Sequence, residues 1–111
     1  MKIAILNCLK ANEVCAGCSC LKAFHTRTHA FQRYEGQDIE LCAFLRCNGC
    51  SSMPESDSGM LEKLDRLKEE GVDAVHLGVC THLPDGSLCP NIQTIISLLS
   101  ERGIPVIDGT H

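Results

Sequence analysis

The chain has 111 residues, of which 10 are basic and 14 acidic, giving a formal net charge of −4 with histidines neutral. An acidic chain with no tryptophan and only Phe24, Phe31, Tyr34 and Phe44 as aromatic rings lacks the basic face and stacking platforms of a nucleic-acid binder. Its 44% apolar and 22% charged residues exclude disorder, its length fits one domain over residues 1–111, and its 9 cysteines are the anomaly that a reading of function must explain.

Residues 2 to 8, Lys-Ile-Ala-Ile-Leu-Asn-Cys, form a short apolar run with β-branched residues and no alternation, as expected of a strand buried on both faces of a parallel sheet. Four apolar residues in a row are too few for a secretory core or a membrane span, so a cytoplasmic setting is expected. Thiols are kept reduced there, which points cysteine-rich patterns toward metal binding or catalysis rather than disulfides. The odd count agrees.

After a polar loop, Leu21, Phe24, Thr28 and Phe31 recur at helical spacing, predicting a helix from an N-cap at Ser19 to Tyr34. Ile39–Leu45 reads as a second strand ending before Cys47. Pro54–Ser58 is rich in capping residues, and the stripe Met60, Leu61, Leu64, Leu67 predicts a helix ending at Gly71. Val72–Val79 is the third strand, with Cys80 at its end. Pro90 stands at a first helical position, Ile92, Ile95, Ile96 and Leu99 form the next stripe, and Gly103 closes it. Ile104–Ile107 is a last strand whose Pro105 marks an edge.

Strands alternating with helices predict an α/β fold: three layers, α/β/α, around a mostly parallel four-stranded sheet of the flavodoxin or Rossmann kind. Right-handed crossovers favour the strand order 2-1-3-4, with 3-2-1-4 as a competitor. In such a sheet the strand carboxyl ends share one rim, where ligands bind. Cys8, Cys47 with Cys50, and Cys80 follow the first three strands, and Asp108 and His111 follow the fourth. Neighbouring strands about 4.8 Å apart allow those thiols to converge on one ion. Cys15 and Cys20 precede the first helix and Cys89 the third, positions where a helix N-terminus favours the thiolate.

Other residues read more blandly. Cys42, inside the second strand, is expected to fill core space. His25 and His29 stand four apart on the predicted helix but lack the glutamate of a zinc-protease motif and flank the apolar stripe, so solvent exposure is expected. His76 is expected to be a hydrogen-bonded core residue, while His82 after Cys80 is equally a ligand or a bystander. No glycine-rich phosphate loop, phosphatase loop or serine nucleophile elbow is present, which sets nucleotide and hydrolase chemistries aside.

Cys47-Asn48-Gly49-Cys50, the Val14–Phe24 segment, His76-Leu77-Gly78-Val79-Cys80, Cys89-Pro90 and the ending Gly109-Thr110-His111 together resemble the CGGC domain, a small prokaryotic family regarded as metal-binding. The resemblance spans nearly the whole chain. It implies Cys8, Cys15, Cys20, Cys47, Cys50, Cys80, Cys89 and His111 as ligand-type positions, with Asn48 departing from the family's glycine and Cys18 and Cys42 as extras. The expected function is binding of a metal ion, zinc or alternatively an iron–sulfur cluster, with no nucleic-acid or membrane partner. The rival is thiol–disulfide redox chemistry at Cys47 and Cys50. A protein partner docking on the rim is a third class.

Overall fold

The structure is a computed structural model that describes residues 1–111. Strand β1 (Lys2–Asn7) is buried from Ile3 to Asn7 and forms the middle of the sheet. It runs parallel to β2 (Glu40–Arg46) on one side and to β3 (Ala74–Leu77) on the other, and β4 (Val106–Asp108) adds in parallel to β3. The order is β2-β1-β3-β4, as the pattern of crossovers predicts. The chain steps one way from β1 to β2 and the other way thereafter. Right-handed connections therefore put the first helix on one face and the later two on the opposite face.

The alternation within β1 shows both faces. Ala4 and Leu6 pack with Met60, Leu64 and Leu67 of α2 (Ser58–Glu70) and with Ile92, Ile95 and Leu99 of α3 (Pro90–Glu101). Ile3 and Ile5 pack instead with Cys20, Ala23 and Phe24 of α1 (Cys18–Thr26) and with Phe31 and Tyr34. Both later helices have the ends their sequences call for. Asp57 caps α2 by accepting from the Gly59 and Met60 amides, Gly71 ends it in a left-handed conformation, and Pro90 opens α3. No helix is long and apolar enough to cross a membrane.

The first helical segment is two elements, not one. The periodicity predicts a helix from Ser19 to Tyr34, but α1 is capped by Gly17 and stops at Thr26. A separate 3-10 turn covers His29–Tyr34. Between them Arg27 and His29 take positive φ values of 56° and 52°. The Thr28 amide bonds to the Ala23 carbonyl and that of Arg27 to the Phe24 carbonyl, a helix-ending arrangement that normally has glycine where Arg27 stands. Arg27 compensates by donating from Nη1 to the same Phe24 carbonyl at 2.7 Å and by lying over the Phe24 ring. The break lets Phe31 meet Phe24 edge to face and stack on His76 at 4.4 Å between ring centroids. A straight helix would carry Phe31 past that histidine. The break also removes His25 and His29 from a shared helical face.

Two strand ends differ from the sequence reading. β1 stops at Asn7, so Cys8 lies just beyond it. β3 covers only Ala74–Leu77, because the Thr81 amide and hydroxyl both bond to the Gly78 carbonyl and close a turn over Val79–Thr81 that holds Cys80. Along β2 the register with β1 slips between Ile3 and Ala4, leaving Cys42 as an extra residue. Cys42 and Ala43 consequently lie against the same aliphatic face, as a bulge requires.

Candidate metal centre at the carboxyl rim

The segments leaving β1, β2 and β3 emerge side by side because the strands are parallel neighbours. Two consecutive amides beyond β1 serve the two flanking strands. Cys8 N–H donates to Cys80 Sγ at 3.2 Å, and Leu9 N–H donates to Cys47 Sγ at 3.4 Å. A 3-10 turn at Lys10–Glu13 then folds the chain back, so that Cys15 lines one small cleft with Asn7, Cys8 and Arg46. Cys15 Sγ accepts from Gly17 N–H at 3.3 Å. Three sulfurs around Cys8 thus each accept a backbone N–H, which favours the anionic thiolate over the thiol.

Electrostatics without a cation work the other way. Burial pushes the Cys80 thiol up from its ordinary range, the Cys8 amide partly offsets this, and negative charge on Cys8, Cys20 or Cys15 would raise it further. Cys80 therefore feels three other thiols as electrostatic neighbours. A positive ion among them reverses the balance, because ligation deprotonates a thiol outright.

The C-x-x-C loop is held by polar ties from both helices beneath it. Asp57 Oδ2 accepts from Ser52 Oγ at 2.7 Å and Asn48 Nδ2 at 3.0 Å, while its Oδ1 caps α2. The Ser52 and Asn48 bonds, chiefly, hold the Asp57 carboxyl down at about 2, so it is ionised throughout the neutral range. Lys63 Nζ donates to Asn48 Oδ1 at 2.7 Å and to the Arg46 carbonyl at 2.8 Å. From α3, Asn91 Nδ2 reaches the carbonyls of Gly49 and Ser52 at 3.2 and 3.0 Å. Asn48, which departs from the family's glycine, thereby links the cap of α2 to Lys63. Gly49 keeps the backbone freedom the loop requires, with φ at +102°.

The residues expected as ligands fall into separate places. Cys8, Cys15, Cys47 and Cys80 occupy the rim just described. Cys20 is buried in the first turn of α1, its Sγ 3.2 Å from Thr110 Oγ1. Exposed Cys50 and half-buried Cys89 share another cleft with Leu83, Pro90 and Asn91, of about 280 Å³. His111 is exposed in a third cleft, beside Ser19, Lys22 and His29. Asp108 turns from the sulfurs to His82, Oδ1 to Nε2 at 2.7 Å, and this bond raises the His82 pKa. No three His, Cys, Asp or Glu side chains stand close enough together to hold an ion as the side chains lie. Sequence reading missed Lys63 and Asn91, which carry no motif, and Asn7, a buried amide whose Oδ1 has no partner.

A family model, the CGGC domain, matches residues 2–111. The chain is 38% identical over 119 residues to the uncharacterized protein MJ0582 of Methanocaldococcus jannaschii, an alignment that covers 100% of this chain and 87% of that protein. No solved structure matches the chain. With the match running from the first strand to the last residue, through every segment that delivers a cysteine to the rim, the chain belongs to the CGGC domain family.

Proposed function

We propose that this protein binds a metal ion, zinc in the first instance, through the thiolates of Cys8, Cys15, Cys47 and Cys80. The observation that carries the reading is the set of backbone N–H groups, from Cys8, Leu9 and Gly17, directed at three of those sulfurs at 3.2–3.4 Å. Hydrogen bonds of this kind stabilise the ligating form of the thiol and tune both zinc and iron–sulfur sites. The donor set is soft, which suits zinc, and its four sulfurs equally suit an iron–sulfur centre as the alternative. Cys20 lies within electrostatic reach of Cys80. Cys50 and Cys89, in their own cleft, are the thiols available to a second ion. His111 stands apart from both groups.

Because no three ligands are in place as the side chains lie, binding has to draw the loops bearing Cys15 and Cys80 toward Cys8. Binding energy is then partly folding energy for the rim. The redox reading of Cys47 and Cys50 has weaker support. Asp57 rather than a cysteine caps α2, so the activating helix terminus of thioredoxin-like sites is not next to the motif.

Elemental analysis of anaerobically purified protein tests the proposal. The expected result is stoichiometric zinc that is lost in Cys8→Ser and Cys80→Ser and kept in Cys18→Ser and Cys42→Ser. Iron with visible absorbance assigns the cluster alternative instead. Metal-free protein that reduces insulin with turnover overturns the metal reading. Chelation of the loaded protein should lower the melting temperature while far-ultraviolet circular dichroism persists, since the core is packed independently of the rim; ligand at a hundred times its Kd corresponds to about 2.7 kcal/mol.

A further inference from the structure

Asn7 is the last residue of β1, immediately before Cys8, and its side chain is only 5% exposed. Its Oδ1 has no hydrogen-bond partner anywhere in the molecule, the sole buried side-chain polar atom in that position. An amide oxygen shut away from water and left unpaired costs about 1–3 kcal/mol, so a buried acceptor of this kind calls for a donor or a cation that completes it. Its surroundings favour the cation. Asn7 lines the same cleft as Cys8 and Cys15. Across the sheet edge, a Cβ on Gly78 would come within 2.0 Å of Asn7 Oδ1 and 3.4 Å of Cys80 Sγ. The amide oxygen and the Cys80 sulfur therefore crowd the same point, and glycine at 78 is what leaves room for the Asn7 side chain.

We infer that Asn7 Oδ1 is a donor atom of the rim site, which makes the site a mixed sulfur and oxygen one selective for a borderline divalent cation over monovalent copper. The inference rests on the thiolate reading above and names a ligand outside its cysteines. Its chemistry follows from donor softness. A neutral amide oxygen is a hard donor that contributes to Zn(II) and adds nothing to Cu(I), which is satisfied by thiolates alone. The lone pairs of Oδ1, unused in the fold, supply the bond without breaking any existing interaction.

Competition titrations with zinc and with Cu(I), on full-length reduced protein, decide it. Asn7→Leu keeps the side-chain volume and removes the oxygen. It should weaken zinc binding at least about tenfold while leaving Cu(I) affinity unchanged, and Asn7→Asp should restore or strengthen zinc binding. Equal zinc affinity in wild type and Asn7→Leu overturns the inference and assigns Oδ1 to an ordinary buried water. A matching loss for both metals also overturns it, because Asn7 would then support the rim's shape rather than ligate. Wild-type protein that takes up neither ion sinks the thiolate reading itself, a result distinct from either of these.

Discussion

The two faces of the sheet are built on different principles. Over one face, α2 and α3 lay aliphatic stripes on Ala4, Leu6, Val75 and Leu77, each helix with a regular start and stop. Over the other, the short α1 and the 3-10 turn His29–Tyr34 pack Phe24, Phe31 and Tyr34 around a fully buried histidine, His76. His76 Nε2 lies 2.8 Å from the Tyr34 hydroxyl and its Nδ1 2.9 Å from the Gly109 carbonyl. The aliphatic face needs only area, whereas the aromatic face needs shape and a satisfied polar pair. The difference teaches that uniform packing tolerates regular helices, while a specific buried polar group bends the chain to meet it.

Deleting a side chain at the centre of each face should separate them most sharply. Phe31→Ala removes the ring stacked on His76 and should cost about 3–5 kcal/mol, and Leu64→Ala on the opposite face about 2–5 kcal/mol, both read from denaturant midpoints. If shape matters more on the aromatic face, Phe31→Leu remains strongly destabilised while Leu64→Met is nearly neutral. Equal tolerance of both conservative changes would erase the proposed contrast.

A second test uses protons. Burial, chiefly, with the Arg33 charge acting in the same direction and the Gly109 bond opposing, lowers the His76 pKa from its ordinary value of 6.5. The unfolded chain therefore binds this proton first. Stability due to neutral His76 is complete above about 6.5 and is lost as the pH falls below that value toward the depressed native one. Melting temperature measured from pH 8 to 5 should decline in the wild type, and the decline should flatten in His76→Gln. An unchanged slope in the variant would assign the acid sensitivity elsewhere.

The smallest expected effect lies at the break itself. Arg27→Gly relieves a left-handed conformation that costs a non-glycine residue about 1–2 kcal/mol, but forfeits the Arg27 bond to Phe24 and its place over the ring. A net gain below about 1 kcal/mol is expected, visible as a small rise in melting temperature. A clear loss would show that the arginine's contacts, not the backbone, dominate the corner.

Much of the architecture was legible because it depends on local pattern. The apolar run at Ile3–Leu6, the stripes Met60–Leu67 and Ile92–Leu99, Pro90 and Gly71 each state their element within one or two turns, and right-handed crossovers then restrict the order of strands. The stripe Leu21–Phe31 misled for a physical reason. Phe24 and Phe31 share a core, so their spacing looks helical, although a corner at Arg27 and His29 and not a continuous helix brings them together. Sulfur at the ends of strands was equally visible, since a parallel sheet delivers every such residue to one rim.

The sequence by itself thus determined the alternation of strand and helix, the strand order that short right-handed crossovers allow, and the concentration of cysteines where the strands end. Only the tertiary structure decided which of them meet. Cys8, Cys15, Cys47 and Cys80 gather where successive amides leave β1, while Cys20 turns to Thr110, Cys50 keeps company with Cys89, and His111 stands with Ser19 and Lys22. The reason is that residue spacing controls the strand and the edge a side chain reaches. Its neighbours there depend on turns closed by hydrogen bonds between residues far apart in the chain, such as those of Asn91 to the C-x-x-C loop.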